Sequence, residues 1–147
     1  MEVEVSKTPP QLLSIPDATW EPIFFKTINE RAREAKLPDL RSTSLAKDDV
    51  EMRMWSGFGL TELRGYVVKR LDGEWSASLL TRSRSKKRIS NQGSQIVPKS
   101  GWEMFWQRIT DEGLLILPDS SQLSDGGLDP DGMCYVVEIR SGPSYRT

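Results

Sequence analysis

Trp20, Ile23, Phe24, Ile28, Ala32 and Ala35 recur at three- and four-residue steps, the spacing that gathers apolar side chains along one side of an α-helix. Pro22 suits a first turn, Asp17 or Thr19 supplies an N-cap, and Pro38 stops the run. The pattern predicts an amphipathic helix over about 20–36, with Glu30, Arg31, Arg33 and Glu34 turned to water. From Val50 the period falls to two: Val50, Met52 and Met54 alternate with Glu51, Arg53 and Trp55, as in a strand with one buried face. A second alternating run covers Leu63 to Leu71 and a third Glu74 to Thr81, with Asp72-Gly73 between them. Asp-Gly at that place predicts a tight hairpin, because both central residues of a type I′ turn take positive φ.

Beyond the meander, Ser100-Gly101-Trp102-Glu103 reads as a capping box, in which serine and glutamate side chains each meet the other's amide. It opens a second helix whose apolar face is Trp102, Phe105, Trp106 and Ile109, with Gly113 as a left-handed stop. Leu114 to Leu117 is a short apolar lead-out closed by Pro118. Met133 to Arg140 alternates again, placing Tyr135, Val137 and Ile139 on one face, and Ser141-Gly142-Pro143-Ser144 turns the chain into a returning strand at Tyr145. Helix, three-strand meander, helix and hairpin predict an α+β fold: an antiparallel sheet of four to five strands, two amphipathic helices packed on one face, and the other face wet.

The intervening segments set the domain organisation. Residues 1–16 carry Pro9, Pro10 and Pro16 and read as an extended N-terminal tail. Residues 17–147 then form one domain, with a basic loop at 82–99 and an acidic Gly/Ser/Pro loop at 119–132. A length of 147 residues fits a single core.

Composition narrows the chemistry. There is no histidine and one cysteine, Cys134. Ser-His-Asp and Cys-His catalysis, Cys/His zinc sites and an intramolecular disulfide are therefore excluded. Twenty basic and 21 acidic residues nearly cancel, so no global field steers the chain to nucleic acid or to an anionic membrane. No apolar run approaches the roughly 18 to 20 residues of a bilayer-spanning helix. The default expectation is a cytoplasmic protein, or an extracytoplasmic one if a leader has been removed.

Local charge leaves three candidates. Arg82, Arg84, Lys86, Lys87 and Arg88 are close enough in sequence to contact phosphates, yet no aromatic is interleaved for base stacking, so a solvated loop is the plainer reading. Asp125, Asp129 and Asp131 echo a calcium loop, but the register and the intervening Pro130 do not fit one, and no metal or cofactor is expected. Glu51, Glu62, Glu74 and Glu138 would serve a carboxylate hydrolase only as a close pair. Cross-strand partners such as Arg53, Lys69, Arg70 and Arg140 account for them more simply, and no catalytic residue is singled out. Trp55 falls beside Glu51 and Arg53 on the face expected to be wet, which makes those three the candidate contact residues for a protein partner. Trp75, Trp102 and Trp106 are assigned to the core.

Trp102 to Trp106, Leu115-Ile116-Leu117-Pro118-Asp119, Asp131-Gly132 and Tyr135-Val136-Val137-Glu138 together resemble a small bacterial domain of uncharacterised function found in short, sometimes exported, proteins. The resemblance covers about half the chain. It implies a final strand running past Thr147 and carries no catalytic residues. The residues thus lead to a non-catalytic binding or interaction module of a bacterial protein, with a nucleic-acid-associated protein using 82–88 and a carboxylate-based hydrolase as alternatives.

Overall fold

Val50–Ser56 forms β1, the strand around which the others assemble. The computed structural model describes residues 21–56, 63–82, 89–92, 96–116 and 135–147. The expected tail, Trp20, Cys134, the acidic loop and positions 83–88 of the basic block lie outside the described residues. A helix, Glu21–Glu34 (α1), precedes β1. Leu63–Leu71 (β2) and Glu74–Arg82 (β3) follow, then Ser90–Gln92 (β4), a second helix at Gly101–Asp111 (α2), Tyr135–Ser141 (β5) and Ser144–Arg146 (β6). The strands make one antiparallel sheet in the order β4-β3-β2-β1-β5-β6, so the fold is α+β as expected. Its six strands exceed the four to five predicted, because three residues of the expected 82–99 loop pair with Leu79–Thr81.

Local turn chemistry sets the register. Asp72 and Gly73 both have positive φ (51° and 80°), as the Asp-Gly pair requires, and Leu71 faces Glu74 across the turn. Gly142 (φ 54°) opens the β5–β6 turn, and its amide donates to the Asp49 carbonyl at 3.0 Å. Helix α1 ends at a non-glycine left-handed residue, Lys36 (φ 58°). The Leu37 amide reaches the Ala32 carbonyl at 2.8 Å and the Lys36 amide the Arg33 carbonyl at 2.9 Å, the paired bonds of a Schellman stop. The capping box does not form. Ser100 is helical in φ and ψ and its side chain makes no cap bond. The Gly101 amide instead donates to the Pro98 carbonyl at 2.8 Å, closing a turn ahead of the helix.

The two helices lie on opposite faces of the sheet, not on one. Ile28 of α1, with Ala35 and Leu37 just beyond it, packs with Trp55, Val67, Leu80, Ile89 and Val136. Trp102, Phe105, Trp106 and Ile109 of α2 pack with Val50, Met52, Val68 and Ile139 on the reverse side. β1 is consequently buried along nearly its whole length on both faces. Alternation in the sequence reports which residues share a face; it does not report which face is wet. The residues opposite Val50, Met52 and Met54 looked solvent-bound because two of them are charged, but they are covered. Each fully buried aliphatic side chain here contributes roughly 1.5–3 kcal/mol relative to exposure.

Gly65 sits opposite Trp55 in the β1–β2 register. A Cβ there would stand 2.9 Å from two atoms of the Trp55 ring, which the surrounding core holds in place. Gly65→Ala is expected to lower stability by about 1–3 kcal/mol, measured by urea denaturation; an unchanged midpoint would mean that the ring has room to retreat.

Candidate functional site

On the α1 face, β1 and β5 bring four charged side chains together in a two-by-two block. Register sets Glu51 opposite Arg140 and Arg53 opposite Glu138, so charge alternates both along and across the strands. All four are buried, Arg53 completely. Leaving such charges unpaired away from water would cost several kcal/mol each, and the surroundings supply partners for nearly every donor and acceptor.

Arg53 Nε donates to Glu51 Oε1 at 2.7 Å and its Nη1 to the Pro38 carbonyl at 2.7 Å. Its Nη2 is buried without a hydrogen-bond partner among the described residues. Glu51 Oε2 lies 3.8 Å from Lys69 Nζ at the rim of the block. Arg140 is spent on backbone: Nε and Nη2 donate to the Leu40 carbonyl at 3.1 and 2.9 Å, Nη2 also to the Arg41 carbonyl, and Nη1 to the Pro143 carbonyl at 2.9 Å. Its guanidinium also stands 5.2 Å from the centre of the Tyr145 ring.

The two arginines thus fasten the segment joining α1 to β1 from beneath. Leu40 at its centre is fully buried. Asp39 organises the rest, accepting from the Arg41 amide at 3.0 Å and the Ser42 hydroxyl at 2.9 Å through its carboxylate, and from the Thr43 hydroxyl at 2.6 Å through its carbonyl.

Glu138 completes the block. Its Oε2 accepts from Trp55 Nε1 at 2.8 Å and its Oε1 from the Tyr145 hydroxyl at 3.0 Å. Burial pushes its carboxyl above the ordinary value; the Trp55 and Tyr145 hydrogen bonds and the Arg53 charge oppose that rise without cancelling it. Burial likewise raises the Tyr145 phenol, helped by the neighbouring Glu138 charge.

The expected contact residues Trp55, Arg53 and Glu51 are therefore brought together, but beneath the protein surface. Trp55 is 1 % exposed, its indole is hydrogen-bonded to Glu138, and no partner reaches it without displacing what covers it. Cross-strand charge pairing, expected for Glu51 and Lys69, is present. Of the basic block, Arg82 ends β3 and donates to Glu34 of α1 at 3.0 Å; Arg84, Lys86, Lys87 and Arg88 lie outside the described residues. Among the described residues no group of three or more His, Cys, Asp or Glu is placed to hold a metal ion, and no helix is long and apolar enough to cross a membrane.

A second constellation, assigned to the core from sequence, packs against the apolar cluster on the other face with its members half-buried. Trp75 of β3 and Trp102 of α2 stack in parallel, with centroids 5.1 Å apart and planes 4° apart. Phe105 meets both edge-on, at 6.4 and 5.8 Å, and Trp106 tilts against Trp75 at 5.5 Å. The Arg70 guanidinium stands 5.3 Å from the Trp75 ring centre and 5.1 Å from that of Trp106, while its Nη2 donates to the Asp48 carbonyl at 3.0 Å. No residue of α2 is fully buried. Met104, within α2, is 51 % exposed. The signal for this corner was the aromatic density of Trp102 to Trp106, but an aromatic stripe at helical spacing does not distinguish a deep core from a half-open one.

No family model, curated protein or solved structure matches the chain.

Raised carboxyl affinity has a defined thermodynamic sign. A group that binds its proton more tightly folded than unfolded adds stability below the unfolded value, and that contribution disappears as pH rises through the folded value. Glu138 starts from an ordinary 4.5 and is shifted upward. Stability should therefore fall as pH rises from 4.5 toward the raised value. Glu138→Gln keeps an acceptor for Trp55 and offers Tyr145 a donor. It should abolish that slope and leave the protein at least as stable at neutral pH, as read from urea denaturation between pH 4 and 8 relative to the native chain. An unaltered slope in the variant would remove Glu138 as its source.

Proposed function

We propose that this chain is a non-catalytic protein-interaction module, of a bacterial protein as the resemblance of its C-terminal half implies, and that its contact surface is the aromatic corner where the β2–β3 hairpin meets the start of α2. One observation carries the reading: three tryptophans and a phenylalanine, with an arginine laid across two of the rings, are clustered yet left only half-buried. Tryptophan and arginine are the side chains most enriched where truncation weakens protein interfaces, because each buries a large area with few rotatable bonds or many donors. The rings also hold one another, since each edge-on or offset aromatic pair adds about 0.5–1.5 kcal/mol. The corner is thus rigid before any partner arrives, and little ordering cost falls on binding.

The alternatives draw less support. Arg82 is neutralised by Glu34 and the formal net charge is −1, which weakens a phosphate-binding reading of the basic block. For a carboxylate hydrolase, Glu138 has both oxygens engaged by Trp55 and Tyr145, and Glu51 is held by Arg53 and Lys69.

The test is affinity capture from nuclease-treated source-cell lysate, using three versions of the chain. They are the native protein, Arg70→Ala with Trp102→Ala, and a version with serine at positions 82, 84, 86, 87 and 88, each confirmed as folded by its thermal transition. The native and five-serine chains should retain the same protein, and the Arg70/Trp102 variant should lose it. Retention by all three would contradict the corner as the contact surface. A capture dominated by nucleic acid before nuclease, and lost with the five serines, would replace this reading with the nucleic-acid one.

A further inference from the structure

Arg53 is the one member of the buried block whose donors are not fully used. Its Nε and Nη1 are spent on Glu51 and the Pro38 carbonyl, while Nη2 is buried with no acceptor among the described residues. Directly across the β1–β5 register stands Glu138, whose hydrogen bonds come from two neutral donors, the Trp55 indole and the Tyr145 hydroxyl. That arrangement satisfies a protonated Glu138 in full. One oxygen accepts from the indole, and the acid proton is donated to the tyrosine oxygen, which serves equally as acceptor or donor. An ionised Glu138 is left with a buried negative charge at the register position opposite a buried guanidinium that has an N–H without an acceptor among the described residues.

We propose that Arg53 is shared between two carboxylates as a proton-operated switch: it is held by Glu51 while Glu138 is protonated, and drawn across to Glu138 when that carboxyl ionises. The Pro38 carbonyl, bonded to the same guanidinium, moves with it, so the protonation state of Glu138 is transmitted to the 38–43 segment. This inference concerns the α1 face alone and is independent of any partner at the aromatic corner.

The groups around Glu138 fix the direction of the switch. β1 contributes Glu51 and Arg53, β5 contributes Arg140, β6 contributes Tyr145, and β2 contributes Lys69 beyond Glu51. The α1–β1 connection adds Asp39 and Arg41. α1 turns buried Ile28 and Ala32 inward, and its Arg31 is ion-paired with Glu34. Arg53 favours ionisation of Glu138, whereas burial and Asp39 oppose it, so proton uptake occurs above the ordinary carboxylate value. Acidification sets the Glu51-bound arrangement, and rising pH the Glu138-bound one.

The test is a carboxyl-carbon NMR titration of the full chain, with Glu138 assigned by its loss in Glu138→Gln. The Arg53 side-chain nitrogens and the Leu40 methyl groups are followed over the same pH range. The expected result is a Glu138 midpoint above 4.5 that the Arg53 and Leu40 signals share, and that both lose in Glu138→Gln. A Glu138 midpoint at or below 4.5 would overturn the proposal, as would a raised midpoint while Arg53 and Leu40 stay still. Glu51→Gln supplies an independent arm, since weakening the hold on Arg53 should lower the Glu138 midpoint; an unmoved midpoint in that variant also overturns the switch.

Discussion

Four charges buried on two adjacent strands impose the strictest constraint on this fold. Glu51, Arg53, Glu138 and Arg140 alternate in sign across the β1–β5 register, and the desolvation of each is offset by partners the fold sets in place: Arg53 for Glu51, Trp55 and Tyr145 for Glu138, backbone carbonyls for Arg140. Removing either partner of the buried Glu51–Arg53 pair typically costs about 3–5 kcal/mol, because the other is left charged and unpaired in a poor solvent for charge. That penalty makes the block specific as well as stabilising. A one-residue slip of β5 against β1 would set Glu138 and Arg140 opposite the apolar positions among Val50, Met52 and Met54 and turn Trp55 away from the Glu138 carboxylate.

The same block explains how an irregular segment is held against the sheet. The carbonyls of Pro38, Leu40, Arg41 and Pro143 lack sheet or helix partners, and the forked donors of two arginines satisfy them. A lysine at either place would supply a point charge without the fork. The α1 face therefore combines an apolar cluster around Ile28 and Leu80 with the buried charged block, closed by α1 and its following loop. The α2 face is an apolar one whose outer layer is thin, and the aromatic corner sits where that layer meets solvent.

Much of the architecture was legible in the sequence because it rests on local chemistry. Helical spacing placed α1 and α2, alternation placed β1 to β3 and β5, and the Asp-Gly pair placed the hairpin, each from steric rules that act within a few residues. What escaped depends on tertiary partners. Ser90–Gln92 is too short to show a period and is a strand only because Leu79–Thr81 lies alongside. Ser100 and Glu103 have capping-box identities, but the turn from Pro98 to Gly101 sets a backbone that keeps them apart. The charged face of β1 reads as solvent-facing until α1 and its following loop cover it and β5, more than 80 positions later, brings the Glu138 acceptor to the Trp55 indole. Of the candidate site, the grouping of Glu51, Arg53 and Trp55 followed from alternation, whereas its burial and its partners Glu138, Arg140 and Tyr145 did not.

The central claim is that this buried block opens only when the whole domain does. Hydrogen exchange at the Trp55 indole nitrogen tests it most directly, since that N–H is both covered and bonded to Glu138. Measured under native conditions, it should exchange no faster than the slowest backbone amides of β1, with a denaturant dependence equal to that of global unfolding. Exchange that is orders of magnitude faster and insensitive to denaturant would mean that the block opens by local fluctuation, and that the sheet is held together by its apolar faces alone.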